Sequence, residues 1–199
     1  MNRTQGGLTL IEIIVVLAAL AILAALLIPT VLSLPEQAEE ARAGNDARAI
    51  GEAIYHLNKN LAKWPVYSSS IGGLTVPNAT LQRLNSAGNA PGVSGAPGTA
   101  DWINASNIDA LDDHLANNSL PDATQYPTTG EFAWRGPYLA EAPADPWGNR
   151  FIVNVRWLQP GASPNVVWVL SAGPNKIIET SFAQPQPSLA GDDIGFRLR

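Results

Sequence analysis

The chain begins with a short polar segment that gives way abruptly to a long apolar one. From Leu8 to Ile28 the only charged side chain is that of Glu12. As an α-helix this run would be about 31 Å long, since each residue adds ~1.5 Å, and the hydrocarbon core of a bilayer is ~30 Å thick. The pattern therefore predicts a transmembrane helix over residues 8–29.

Charged residues on either side of this run set its expected orientation. Arg3 precedes it, whereas Glu36, Glu39 and Glu40 follow it. Because basic flanks stay in the cytoplasm, we expect a single pass with the N-terminus inside and the remaining chain outside. A secretory signal peptide would need small residues at a cleavage site after the run, and Leu27-Ile28-Pro29-Thr30 provides no such site.

After Pro29 the apolar residues adopt a helical spacing. They recur every three or four positions, which predicts an amphipathic helix over residues 30–64 with one apolar face: Ala43, Ala47, Ile50, Ile54, Leu57, Leu61 and Trp64. This face needs a partner, either another helix in a coiled coil or the protein's own sheet, and we favour the sheet. Pro29 and Pro35 lack backbone donors and predict a local kink or loosening of the helix.

Alternating and β-branched residues appear only towards the C-terminus. Residues 151–158, 166–170 and 194–198 predict antiparallel strands, with turn residues such as Asp145-Pro146 and Gly148-Asn149 before them. Residues 65–130 are rich in Ser, Asn, Ala, Gly and Pro and predict a variable loop-and-helix insertion. The expected fold is α+β, in which a long N-terminal helix packs on a small antiparallel sheet formed by residues 131–199.

Composition excludes several kinds of function. The 199 residues carry a net charge of −5, so a basic patch for nucleic acid is not expected. There are no Cys residues and two His residues, which argues against disulfides and against Cys- or His-based metal sites. No nucleophile–base pair stands out, and we predict that the protein is not an enzyme. The competing hypothesis of an anchored hydrolase would have to use scattered acids: Asp101, Asp109, Glu131 and Asp145.

The segment Gly6-Gly7-Leu8-Thr9-Leu10-Ile11-Glu12 resembles the leader junction of type IV pilins and of type II secretion pseudopilins. The resemblance implies that residues 1–7 are a class III leader peptide and that prepilin peptidase cuts after Gly7. It also implies N-methylation of the new terminal amine on Leu8, a position where the family usually has Phe. The mature chain would then leave the bacterial inner membrane for a filament in the periplasm or at the cell surface.

Glu12 is the anomaly in the apolar run, because a carboxylate there would cost roughly 2.5–3.5 kcal/mol near the bilayer centre. Cleavage would place a cationic amine four residues before it. In an apolar filament core, the amine of one subunit could meet Glu12 of a neighbour, and such a buried pair can set register. The resemblance adds that Pro29 lies where pilin-like helices often carry a proline that affects packing.

Four C-terminal motifs extend the resemblance towards the major pseudopilin of type II secretion: Pro137-Tyr138-Leu139, Asp145-Pro146-Trp147-Gly148-Asn149, Ser171-x-Gly173-x-Asn175 and Asp192-Asp193-Ile194. This implies a subunit that polymerises with its own copies and with other pseudopilins to help drive protein export. An inner-membrane platform and a cytoplasmic ATPase would assemble it. The alternatives are a type IV pilus subunit, or a minor or tip pilin that displays the 68–130 insertion as a binding surface.

The resemblance also implies a calcium site in the C-terminal loop. Its ligands would come from Asn175, Glu179, Asp192 and Asp193, and Ca²⁺ takes six to eight oxygen ligands. Asn175 stands where the family generally has Asp, which keeps an oxygen but removes a charge. In the alternative interpretation, Asp192 and Asp193 are only turn residues before a strand.

Overall fold

The computed structural model describes residues 9–66, 81–104, 107–120 and 125–199, without the side chains of residues 26–33. Gly7 and Leu8 lie outside the described residues, as does the side chain of Pro29. The chain divides into two compact units between Glu39 and Glu40. Among the described residues, no helix combines the length and the apolar character needed to cross a membrane.

The described ranges contain one long helix, several short helices and short strands. The helices are α1 (Leu10–Leu61), α2 (Asp101–Asn104) and α3 (Leu111–Leu115), with a 3₁₀ helix at Val155–Leu158. The strands are β1 (Arg83–Asn85), β2 (Gly92–Val93), β3 (Ile108–Ala110), β4 (Ile152–Val153), β5 (Trp168–Ser171), β6 (Ile177–Ile178) and β7 (Ile194–Arg197). The helical assignment runs without a break through Pro29 and Pro35, so the prolines do not divide α1 into two elements.

The main sheet confirms the α+β class but corrects two details of the prediction. Its order is β3-β1-β4-β5-β7, and the β1–β3 pair is parallel, so the sheet is mixed rather than antiparallel. The other pairs in it are antiparallel. β1 and β3 come from the segment predicted as an insertion, which therefore completes the sheet. These strands are three residues each, too short for alternation to reveal them.

The predicted apolar face of α1 packs on this sheet. Ala47, Ile50, Ile54, Leu57 and Leu61 share one buried cluster with sheet residues Leu84, Val153 and Val169. Trp64, beyond the end of the helix, is partly buried against the same cluster. A self-contained helix-on-sheet core confirms the preference for the sheet over a coiled-coil partner.

The strand predicted over residues 151–158 is much shorter in the structure. β4 ends at Val153, and Val155–Leu158 forms a 3₁₀ helix. The cause is Asn154, which is fully buried. Its amide donates to the carbonyls of Val166 and Phe182, and its oxygen accepts from Trp168 N at 2.8 Å. These side-chain bonds replace ladder hydrogen bonds, so the apolar alternation continues without a strand.

A second cluster covers the other face of the sheet. It joins Ile152, Trp168 and Leu170 to Trp102 of α2 and to Phe182. The indole of Trp102 meets the ring of Phe182 edge-on at 5.0 Å and donates to the Thr180 carbonyl at 2.8 Å. Because Thr180 and Phe182 lie within the C-terminal loop, this cluster anchors the loop to the sheet.

Candidate functional site

The first described part of α1 exposes its large apolar side chains. Leu10 is 77% exposed and Ile11 is 69% exposed, and the same holds along the next turns for Ile13, Ile14, Val15, Val16, Leu17, Leu20, Ile22 and Leu23. Contiguous apolar surface of this kind marks contact with lipid or with another protein. It is therefore a candidate assembly surface.

Glu12 lies within this surface and closes the start of the helix. Its Oε2 accepts hydrogen bonds from Thr9 N at 2.8 Å and from Thr9 Oγ1 at 2.7 Å, and its own N–H donates back to Thr9 Oγ1 at 3.4 Å. This reciprocal arrangement is a capping box. The amine that processing would create on Leu8 lies outside the described residues, so the proposed partner of Glu12 stays a prediction.

The C-terminal loop brings the four predicted calcium residues together. The Asn175 backbone N–H donates to Asp192 Oδ2 at 3.0 Å, and its side-chain amide donates to Glu179 Oε2 at 3.3 Å. The same Glu179 oxygen accepts from Asp192 N at 3.3 Å. Residues separated by up to 17 positions thus share one hydrogen-bond network.

Asp193 is the buried member of this network. Its Oδ2 accepts from the backbone N–H groups of Glu179 at 2.9 Å and of Thr180 at 2.6 Å. Burial raises the pKa of Asp193 above its ordinary value, and the negative charge of Glu179 adds to this. Hydrogen bonds from Thr180 and Glu179 oppose the rise in pKa. The other carboxylate oxygen of each aspartate, Oδ1 of Asp192 and Oδ1 of Asp193, is buried and has no hydrogen-bond partner in the described part of the chain.

Two unpartnered carboxylate oxygens beside a further carboxylate form an oxygen-rich donor set that suits a hard cation such as Ca²⁺. In the part of the chain that is described, however, no group of three or more His, Cys, Asp or Glu residues is placed to hold a metal ion. Calcium would therefore need oxygen ligands of other types, such as the Asn175 amide or backbone carbonyls, and the site remains a proposal.

Two glycines allow the loop to close, and the sequence interpretation overlooked one of them. Gly173 and Gly191 have φ values of +65° and +60°, which favour glycine. A Cβ on Gly173 would overlap the Asp192 backbone, and one on Gly191 would overlap the Glu179 carboxylate. Gly173 belongs to a motif noted in the sequence. Gly191 was missed, although its position directly before two aspartates was a signal.

The turn Asp145-Pro146-Trp147-Gly148-Asn149 has a structural role. Asp145 Oδ1 accepts from Asn149 N at 2.7 Å, and its Oδ2 accepts from the Ser171 hydroxyl at 2.6 Å. This joins two of the motifs noted in the sequence. Within the described residues, no hydrogen bond or ion pair links any two of the acids required by the hydrolase hypothesis: Asp101, Asp109, Glu131 and Asp145.

Comparison with known proteins gives two family matches. Residues 2–28 match the prokaryotic N-terminal methylation motif. Residues 104–183 match protein G of the type II secretion system (T2SS), and this match begins inside the predicted insertion. No curated protein and no solved structure matches the chain significantly.

The matches agree with the geometry. The methylation motif contains Glu12 and the apolar start of α1. The protein G match contains the Asp145 turn and the strands from β3 to β6. The motif implies a membrane-anchored precursor that is processed by prepilin peptidase. The processed subunit then assembles with other pseudopilins into a pseudopilus. The pseudopilin family is structural rather than catalytic. Both matches are consistent with a type IV pilin-like pseudopilin, and together they indicate that this chain is a pseudopilin subunit of the type II secretion system.

Proposed function

We propose that this subunit polymerises through the first part of α1 and that growth of the filament helps to drive protein export. The observation that supports this most strongly is the run of exposed apolar side chains from Leu10 to Leu23. Each large apolar side chain gains roughly 1.5–3 kcal/mol when it is buried. Lipid would keep this surface out of water before assembly, and neighbouring helices in the filament would do so afterwards.

Glu12 would give this packing its register. In an apolar environment a lone carboxylate is costly, whereas a carboxylate paired with a cation is tolerated. The Thr9 bonds satisfy one oxygen of Glu12 and leave the carboxylate exposed on the helix surface. The terminal amine of a neighbouring subunit, created by cleavage after Gly7, would supply the opposite charge.

An assembly assay tests this role of Glu12. Cells that overproduce the chain would be sheared, and the pseudopilus recovered from the medium would be quantified against total subunit. We expect Glu12→Ala to reduce filament yield at least about tenfold, since each 1.4 kcal/mol lost per contact is a factor of ten. The matched control is Glu36→Ala, which removes an exposed acid of the same helix beyond the apolar run.

Equal filament yields for Glu12→Ala and wild type would refute the register hypothesis. Filament length distinguishes a major subunit from a minor or tip pilin. Long homopolymers are expected of a major subunit, and short or absent homopolymers would favour a minor or tip pilin. A pilus that extends from cells lacking a type II secretion system would favour a type IV pilus subunit.

The remaining partners follow from the same proposal. The subunit itself would provide no catalysis, so the energy for assembly would come from a cytoplasmic ATPase that acts through an inner-membrane platform. Before assembly the chain would sit in the inner membrane as a single pass, with its N-terminus in the cytoplasm and its body in the periplasm.

We also propose that the C-terminal loop binds Ca²⁺ through Asn175, Glu179, Asp192 and Asp193. The support is the pair of buried, unpartnered carboxylate oxygens on Asp192 and Asp193. A bound cation would neutralise these acids and hold the loop against β7.

Thermal unfolding of the full chain in detergent tests the calcium site. Millimolar Ca²⁺ should raise the Tm relative to chelator, because a ligand that binds only the folded state stabilises it. Asp192→Ala should abolish the response, while Asp101→Ala, an exposed acid of α2, should keep it. A wild-type Tm that does not change with Ca²⁺ would exclude the site.

A further inference from the structure

A second group of polar side chains lies on the face of the sheet opposite α1. In β1, Leu84 points into the cluster shared with α1, so Arg83 and Asn85 point to the other face. Asn85 pairs with Ile152 of β4, and Arg150 precedes that strand by two residues. The ladder therefore places Arg83, Asn85 and Arg150 on one face.

Arg83 is a buried cation with an incomplete set of partners. The residue is only 5% exposed, and its Nη2 donates to the Ile103 carbonyl at 2.9 Å. Its Nε and Nη1 atoms are buried and have no hydrogen-bond partner among the residues that the structure describes. A guanidinium stays protonated in proteins, so this group carries its charge into the interior.

Arg150 adds a second positive charge at the same place. When the Asn85 amide is oriented with its oxygen towards Arg150, that oxygen accepts from Nη1 at 3.1 Å. The Nε atom of Arg150 is buried and unpartnered as well. Burial, followed by repulsion from Arg150, lowers the pKa of Arg83 to about 10. No ion pair joins either arginine to a carboxylate in the described ranges.

Two neighbouring cations with unmade hydrogen bonds and no counter-charge are unfavourable unless an anion joins them. Leaving a buried charge uncompensated typically destabilises a protein by several kcal/mol. Guanidinium groups present paired N–H donors that fit the oxygens of carboxylates and phosphates. Arg150 is only partly buried, which leaves an approach from solvent.

We propose that Arg83 and Arg150 form a binding site for a small oxyanion on the sheet face opposite α1. The free N–H groups of both arginines bind the anion, and Asn85 holds Arg150 in position beside Arg83. The anion cancels the repulsion between the two guanidinium groups. The site therefore stabilises the junction of β1 and β4.

Thermal unfolding with added anions tests the site. The full chain in detergent is titrated with inorganic phosphate, sulfate or acetate, and sodium chloride holds the ionic strength constant. The Tm should rise in a saturable manner, by about 3–6 °C when the anion reaches about ten times its Kd. A larger effect of phosphate and sulfate would identify a tetrahedral ligand, and a larger effect of acetate would identify a carboxylate.

Three variants test whether Arg83 and Arg150 are responsible for the rise in Tm with added anion. Arg150→Gln and Arg83→Gln should each abolish the anion-dependent rise in Tm, whereas Arg135→Gln, at an exposed position, should retain it. Arg150 is partly exposed, so its variant stays informative even if Arg83→Gln does not fold. A wild-type Tm that responds to these anions no more than to chloride would overturn the proposal. So would an undiminished response in Arg150→Gln.

Discussion

The two parts of α1 use similar apolar residues in opposite ways. Before Leu23 the large side chains are exposed, whereas Ile50, Ile54 and Leu57 are almost completely buried in the protein's own core. The body therefore carries its own hydrophobic stabilisation, and the first part of the helix depends on surroundings outside the chain. This difference suits a subunit that must fold before assembly and still offer an apolar surface for assembly.

The largest expected effect comes from truncating one leucine in each part. Leu57→Ala should lower the free energy of unfolding of the body by about 2–5 kcal/mol, because it leaves a cavity in the core. Leu20→Ala should change it by less than about 0.5 kcal/mol, since Leu20 is 54% exposed. Denaturant unfolding of the full chain in detergent measures both values. A loss of body stability in Leu20→Ala as large as in Leu57→Ala would contradict the comparison.

Two glycines test how closely α1 packs against the sheet. A Cβ on Gly51 would overlap the Phe196 ring of β7, whereas one on Gly44 would lie 3.9 Å from Cγ2 of Ile194, the nearest heavy atom outside the adjoining helix backbone and chain neighbours. Gly51→Ala should therefore destabilise the body by about 1–3 kcal/mol through overpacking. Gly44→Ala should stabilise it by up to about 1 kcal/mol, because alanine favours the helix. Equal effects in unfolding experiments would show that α1 does not meet β7 closely at Gly51.

The smallest effect concerns charge in the body. The pKa of Asp193 is raised above 3.8 in the folded state, so the folded state holds this proton more tightly than the unfolded state does. With calcium chelated, the extra stability that comes from protonated Asp193 is complete below pH 3.8, and it is lost as pH rises through the raised pKa. Asp193→Asn should remove this component of the pH dependence. Identical pH profiles of Tm for the two proteins would contradict it.

Sequence patterns predicted the features that repeat over many residues. The helical spacing from Ala43 to Leu61 identified the buried face of α1, and the strand predictions covered residues 168–170 of β5 and the whole of β7. The calcium residues came from a resemblance, and the structure joins them by hydrogen bonds.

Features that depend on single side chains or distant pairing could not be predicted. The parallel β1–β3 pair is too short to show periodicity. Asn154 ends β4 through bonds to three distant backbone groups, which no local pattern reveals. Arg83 looks like a surface residue in the sequence, and only the fold shows that it is buried beside Arg150.

Mass spectrometry of the mature N-terminus tests the central claim most directly. The chain would be recovered from cells that contain prepilin peptidase, digested, and its N-terminal peptide sequenced. The account predicts a peptide that begins at Leu8 and carries one added methyl group on its amine. A peptide that retains Met1, or one that begins elsewhere, would contradict the assignment of this chain as a processed pseudopilin.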